Sequence, residues 1–296
     1  MTRTARSFLL LTTCIALLCI PAYASVHKIG PDLYAYISDN DSSANSTFLV
    51  SDQGILVVDT GLNAGEGSKL LAEIRKISSS PVRWIVNTHY HPDHRGGNRV
   101  VGPDAVIIST QETRTAALRM QHSQQPGVGG VAAFGYEFNE TFSGERGPTL
   151  FVGGHEVRIY FPGPAHTRGD AIVYFPDQHA IATGDLFLTN SCPAMDDGDM
   201  ENWIKALDHI LDLPVEHIVP GHFEIATKPE LQRFRNYLAD LRDQVKPMFE
   251  KHMALYSVKK NLRLPAYKTF RQFPKYEATF ADNAEAYYKQ LADRAK

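Results

Sequence analysis

Cysteine is scarce in this chain. There are three in 296 residues, and two of them, Cys14 and Cys19, stand in the apolar N-terminal run. Only Cys192 belongs to the rest, which excludes an internal disulfide framework there and leaves stability to the core and to any bound metal. Basic runs are lacking too. The formal net charge is −3 at pH 7, which gives nucleic-acid binding no support. Beyond Phe8–Ile20 there is no apolar run to read as a membrane span. No internal repeat or low-complexity linker divides the chain.

What is present begins with the N-terminus. Arg3 and Arg6 make a positive start, Phe8–Ile20 is apolar, and Ala22-Tyr23-Ala24 fits a small-residue cleavage site. This reads as a secretory signal peptide cleaved after Ala24, and the expected location is periplasmic or secreted. The other reading is an uncleaved anchor. Ser25–Lys296 is long enough for one large domain with a full core. The expected organisation is a signal peptide over 1–24, a main domain over 25–227 and a C-terminal helical extension over 228–296 packed on it.

Leu33–Ser38 and Asn45–Val50 read as strands joined by the turn-rich Asp39–Ala44, and Gly54–Asp59 as a third. Leu70, Leu71, Ile74 and Ile77 give Ser68–Ile77 helical spacing. Val82–Asn87 reads as a buried strand and Ala105–Ser109 as a short one. Ser109-x-x-Glu112 predicts a capping box for a helix to about Gln121. Gln124–Gly147 breaks the pattern, with six glycines and four aromatic residues, and fits either a flap over a substrate or a loop docked on the core. Leu150–Val152, Glu156–Phe161, Ala171–Phe175 and Ala180–Thr183 predict a second sheet, with His217–Val219 as a last strand. Met200–Leu211 is a helix. Thr227-x-x-Glu230 caps another, to about Tyr256, and Asp282-x-x-Glu285 a final short one. Lys259–Lys275, basic and aromatic, reads as an ordered or semi-ordered surface arm.

The chemistry concentrates in Thr88–Asn98. His89, His91, Asp93 and His94 form H-x-H-x-D-H. Three imidazoles and a carboxylate in six residues suit a transition metal better than packing. In an extended chain residues two apart point the same way, so His89 and His91 can grip one metal. Asp93 and His94 fall past the bend at Pro92 and can face a second. Gly96 and Gly97 are expected to allow a tight turn, with a helix starting nearby. Three later positions share a habit: His166 in a Gly-Pro turn, Asp185 after Gly184, and His222 after Gly221. Each is expected just past a strand end, the usual place for groups presented on a rigid scaffold. His27, His122, His155, His179, His209, His217 and His252 match no such position. Cys192 is at most a free thiol near the site mouth.

Taken in order, Asp59, the H-x-H-x-D-H run, the G-P-x-H-T turn, the G-D turn and the final G-H resemble the metallo-β-lactamase-fold hydrolases over about Val26–Thr227. The resemblance implies an α/β, four-layer αββα sandwich with the site at one edge. It implies one zinc on His89, His91 and His166, a second on Asp93, His94 and His222, and Asp185 bridging them. Two zinc ions per chain are therefore the expected cofactors. The chemistry expected of such a pair is hydrolysis by a hydroxide shared between the metals. Asp93 is expected to be a ligand that also orients the nucleophile and passes its proton on. Asp59 is expected behind the ligands, accepting a hydrogen bond that fixes one of them, although a turn aspartate is the plainer reading.

The expected activity is zinc-dependent cleavage of an ester, lactone, thioester or amide-type bond in a small molecule. The Phe161–Asp170 turn is similar to that of secreted β-lactamases with a cysteine ligand, but Asp185 stands where those have cysteine. No lysine marks a carboxylate site after the G-D turn, where Leu186-Phe187-Leu188 follows. Three further readings stay open: a secreted β-lactamase, a mononuclear iron oxygenase on the same fold, and a non-catalytic metal-binding module. The oligomeric state is not legible.

Overall fold

Strict alternation along the strands sets the layering. The computed structural model describes residues 24–123, 138–195, 197–273, 275 and 277–296. The stretch read as a signal peptide lies, up to residue 23, outside the described residues. Among these, one seven-stranded sheet runs β1 (Ser25–Lys28), β2 (Leu33–Ile37), β3 (Ser46–Ser51), β4 (Gly54–Val58), β5 (Val82–Val86), β6 (Val106–Thr110) and β7 (Glu140–Phe142), in chain order. A five-stranded sheet holds β8 (Arg146–Val152), β9 (His155–Tyr160), β10 (Ile172–Phe175), β11 (Ala180–Leu188) and β12 (His217–His222), again in sequential order. The helices are α1 (Ala64–Ile77), α2 (Pro92–Arg95), α3 (Asn98–Val101), α4 (Gln111–Ser123), α5 (Met200–Asp212), α6 (Lys228–Glu250), α7 (Leu255–Asn261) and α8 (Phe280–Arg294).

Neighbouring residues of a strand go to opposite interfaces, as the two-residue period requires. Leu49, Leu56, Val58 and Val86 meet Val157, Ile159, Val173 and Phe175 between the sheets. Their neighbours Phe48, Ile55, Val57 and Ile85 pack under Leu70 and Ile74 of α1 and Ala117 of α4. Tyr174, Ile181 and Phe187 on the second sheet pack under Trp203 and Leu207 of α5, Phe234 and Leu238 of α6, and Tyr287 of α8. Three apolar interfaces separate four layers, an αββα sandwich. Each large side chain so buried contributes about 1.5–3 kcal/mol.

Several local expectations need correction. Thr110, not Ser109, caps α4: its Oγ1 accepts from the Thr113 N–H at 3.0 Å, while Ser109 is still in β6 and its hydroxyl donates to the Thr110 carbonyl. Thr279, not Asp282, caps α8, accepting from the Asp282 N–H. Glu285 pairs instead with Lys259 at 2.6 Å. The Thr227–Glu230 capping box is present, with the Thr227 N–H donating to Glu230 at 2.9 Å. The helix it opens stops at Glu250, because the chain reverses through His252 at φ 56°, before α7 begins. Gly96 and Gly97 take ordinary right-handed angles. They are glycine because a Cβ would lie 2.0 Å from the Leu62 carbonyl oxygen and 2.2 Å from that of Thr60.

Two segments were ambiguous in the sequence. Of the Gln124–Gly147 stretch, residues 124–137 lie outside the described residues. Phe138 is buried and Phe142 packs against the core, so this end is docked. The Lys259–Lys275 segment is not a free arm. Its own Leu264, Tyr267 and Phe270 are buried in the core, and Arg271 bridges to Ser191.

The site lies where carboxyl ends of parallel strands gather. β4 and β5 run parallel, as do β11 and β12. Backbone bonds staple the two sheets together at this edge, from Ala171 N–H to Thr88 O at 2.7 Å and from Asn45 N–H to Gly221 O at 2.7 Å.

Candidate metal centre

All seven positions expected as ligands converge here. The chain does not stay extended after β5, as expected, but bends through Thr88–Tyr90, and this bend still brings the His89 and His91 rings together. His89 Nε2 stands 3.0 Å from His91 Nδ1, and His166 Nε2, from the β9–β10 loop, is 3.2 Å from the same atom. Pro92 then starts α2, whose fixed φ suits a first helical turn, and that turn carries Asp93 and His94 to the other side. His94 Nε2 is 3.2 Å from Asp185 Oδ1 and 3.5 Å from Asp93 Oδ2. His222 Nε2 is 3.1 Å from Asp93 Oδ2. Asp185 faces both groups, with Oδ2 3.5 Å from His166 Nε2 and Oδ1 3.6 Å from His222 Nε2. The donors thus form two sets, His89, His91, His166 and Asp185, and Asp93, His94, Asp185 and His222, each with its atoms within 4.8 Å of one another.

Asp185 and His222 are not on loops after strands, as expected, but in them. Asp185 is inside β11 where the β11–β12 register shifts, and His222 ends β12. Such an irregularity re-aims a side chain without leaving the sheet. Gly184 takes φ +51°, and a Cβ there would collide with Thr88. At Gly221 a Cβ would stand 1.9 Å from Asp185 Oδ1, so any side chain would occupy the carboxylate's place.

The donor set fits a pair of cations. His91 Nδ1 faces two imidazole nitrogens at 3.0 and 3.2 Å but carries at most one proton, so the three nitrogens crowd a space that suits a cation. Buried polar atoms are almost always hydrogen-bonded, yet His94 Nε2 and Asp185 Oδ1 are buried with no hydrogen bond. Imidazole with carboxylate is the ligand chemistry of zinc and its neighbours.

The charges are arranged to match. Burial, helped by the neighbouring His94, His91 and His166, holds His89 well below the ordinary histidine range. Burial and His166 push His91 down to about 4. Those two rings are therefore neutral and able to donate lone pairs. On the other side burial also disfavours charge, but Asp185, Asp59 and Asp93 outweigh it and hold His94 well above its ordinary value. His222 is raised likewise, by Asp185 and Asp93 against burial. Burial would raise Asp93, but His94 and His222 bring it down to about 2.

Behind the ligands stands a layer of buried polar groups. Asp59 sits at φ 55° just past β4. It accepts from Thr88 N–H at 2.9 Å, Thr88 Oγ1 at 2.7 Å and His94 Nδ1 at 2.7 Å. A proton held on His94 Nδ1 leaves Nε2 free to face the site. His166 Nδ1 is fixed in the same way by the Ala194 carbonyl at 3.1 Å. Three supports were not legible in the sequence. Thr88 Oγ1 lies 3.1 Å from His89 Nδ1. Asn87 and Asn98 interlock their amides, and Asn87 also donates to the His94 carbonyl. Asp170 accepts from the Ala165 and Thr167 N–H groups on either side of His166. All three flank the motifs, but nothing in a single sequence separates them from ordinary turn residues. Cys192 is buried, lines the cavity above the site, and burial pushes its thiol up to about 12.

The chain belongs to the metallo-beta-lactamase superfamily, whose family model matches residues 39–222. Among curated proteins it is 28% identical over 185 residues to the 2,4-dinitroanisole O-demethylase subunit alpha of Nocardioides sp. (strain JS1661), covering 61% of this chain and 53% of that one. It is 25% identical over 259 residues to the linear primary-alkylsulfatase of Pseudomonas sp. (strain ATCC 19151), covering 72% and 48%. The chain thus spans about half the length of these relatives. A solved metallo-beta-lactamase from Pontibacter korlensis superposes with a TM-score of 0.61 at 22% identity, covering 73% of this chain and 99% of that one, a likeness of fold.

Proposed function

We propose that this protein is a dinuclear metallohydrolase, with zinc as the metal, that cleaves an ester-type bond in a small molecule. The observation that carries the reading is Asp185: its two oxygens face two separate donor sets at the floor of a cavity of about 490 Å³. His89, His91 and His166 would hold one ion, and Asp93, His94 and His222 the other, with Asp185 shared. Such a pair supplies Lewis acidity and a source of hydroxide near neutral pH.

The chain's own groups do the rest. Asp93, brought down to about 2, is ionised at neutral pH. As a ligand of the second ion it would also accept a hydrogen bond from the attacking water, orienting it and passing its proton on. Asp59 and the Ala194 carbonyl keep His94 and His166 in the tautomer with Nε2 toward the site. The relatives named for O-demethylation and for alkyl sulfate cleavage support a substrate joined through oxygen. A β-lactamase activity is the second reading. It is supported by fold, but no lysine or arginine among the described residues lines the cavity to meet a β-lactam carboxylate.

The test is metal analysis of the purified protein beside a hydrolysis screen over lactones, carboxylic and sulfate esters, thioesters, phosphodiesters and β-lactams. Two zinc ions per chain and chelator-sensitive turnover are expected. One iron per chain with oxygen-dependent turnover moves the reading to an oxygenase, and a chain that takes up no metal overturns it.

A further inference from the structure

The cavity over the metal-site residues is one-sided in chemistry. Its floor is the ligand set. Its walls are mostly apolar, with Leu62, Leu188, Ala194, Phe223, Phe273 and Ala278, beside the hydroxyl residues Ser42 and Ser191. Apart from the candidate ligands, Asp41 is the one charged residue among the described residues lining it. A volume of about 490 Å³ is that of a small-molecule pocket.

Part of this wall comes from far along the chain. Phe273 and Ala278 sit between α7 and α8 and pair with each other, Phe273 N–H to Ala278 O at 2.9 Å. The segment is tied down at Arg271, whose N–H donates to Asn190 O at 2.8 Å and whose carbonyl accepts from Cys192 N–H at 2.9 Å. The Arg271 guanidinium lies 4.3 Å over the Phe223 ring. It also donates to both Glu224 oxygens, at 2.6 and 3.2 Å, and to Thr189 O at 3.0 Å. Its charge is thus matched locally rather than offered to the cavity. Phe223 stacks on Phe273 with centroids 5.8 Å apart and planes 6° from parallel. Phe223 does this at φ +73°, a costly angle for an aromatic residue and one that collects at ligand sites. Asn45 holds it there, donating to Phe223 O at 2.8 Å.

We propose that this wall takes the uncharged hydrocarbon part of the substrate, and that Phe273 is a specificity-determining residue. The proposal rests on the hydrolase reading for the reaction but not for the binding. An apolar group entering here leaves water for aromatic and aliphatic contacts. Along this wall, away from the floor, a carboxylate meets no counter-charge among the described residues and faces Asp41.

The test uses the full metal-loaded chain and a series of n-alkanols from butanol to octanol, with affinity measured by calorimetry. The expected result is about fourfold tighter binding per methylene until the cavity fills. Phe273→Ala should flatten the chain-length dependence, while Phe273→Tyr, which keeps the stacked ring, should retain it. Melting curves of both variants check that the fold is intact. Affinity independent of chain length in the unsubstituted protein overturns the proposal, as does a slope unchanged in a folded Phe273→Ala. Alkanol binding with the expected slope in a protein that hydrolyses nothing leaves the pocket assignment standing and removes the hydrolase reading. Ester turnover with kcat/KM flat across chain length does the reverse.

Discussion

Replacing Asp59 by asparagine tests how the second donor set is held. Asp59 is almost fully buried, does not line the cavity over the metal-site residues and accepts three hydrogen bonds. Asparagine matches its size but replaces one acceptor oxygen by a donor. If Oδ1 keeps the Thr88 N–H, the new NH₂ faces Thr88 Oγ1 and His94 Nδ1. The Thr88 hydroxyl can rotate to accept. His94 cannot adapt without cost: Nδ1 must now accept, so the ring's proton moves to Nε2 and points into the metal site. Loss of such a supporting partner lowers metal affinity by about 10–100-fold, which is about 1.4–2.7 kcal/mol. Without metal, the Asp59–His94 pair is broken on one side inside the protein, and a loss of about 3 kcal/mol in folding stability is expected. The assay is competition for zinc against a chromophoric chelator, with the two binding steps resolved. The weaker step should move and the tighter one, made mainly by His89, His91 and His166, should not. Both steps within twofold of the unsubstituted protein would refute this account of His94.

Asp185→Asn keeps the volume but removes the charge shared by both donor sets; metal content should fall toward one zinc per chain and hydrolysis by orders of magnitude while the fold persists. Two zincs at near-normal rates would show that Asp185 is not a bridge. Chelation should lower the melting temperature, because an ion at a thousandfold excess over its Kd adds about 4 kcal/mol to native stability, and added zinc should restore it. An unchanged melting curve after verified metal loss sinks this prediction. Metal uptake should release protons. His94 and His222 are raised above 6.5 in the folded chain, so they carry protons near neutral pH that a metal must displace. Affinity should therefore rise with pH through that range, and calorimetry in two buffers of different ionisation heat should show the release; identical heats would count against it. Phe234→Ala, on α6, should cost about 3–5 kcal/mol, because Phe234 packs fully buried against Phe187 and Trp203 of the main sandwich. A chemical denaturation midpoint near the parent's would mean that α6 does not share this core.

Residue order along the chain by itself marked the candidate donors and most of the elements. His89, His91, Asp93 and His94 are legible because metal ligands this close in sequence are bound to be close in space. The apolar, β-branched run of Gly54–Val58 and the Thr227–Glu230 capping box are legible because their physics is local, a few residues long. Tertiary structure decided everything that depends on distant parts meeting. That Asp185 turns one oxygen to each donor set follows from a register shift against β12 that no local pattern in Thr183-Gly184-Asp185 encodes. That Asp59 is the partner of His94 follows from β4 and β5 lying side by side. Gly96 and Gly97 look like turn formers in sequence, but the packed backbone at Thr60 and Leu62 is what excludes side chains there. The stacked pair of Phe223 and Phe273 is the clearest case. Fifty residues separate them, and neither has a spacing that marks it, because a cavity wall is a property of surfaces brought together after the chain has folded.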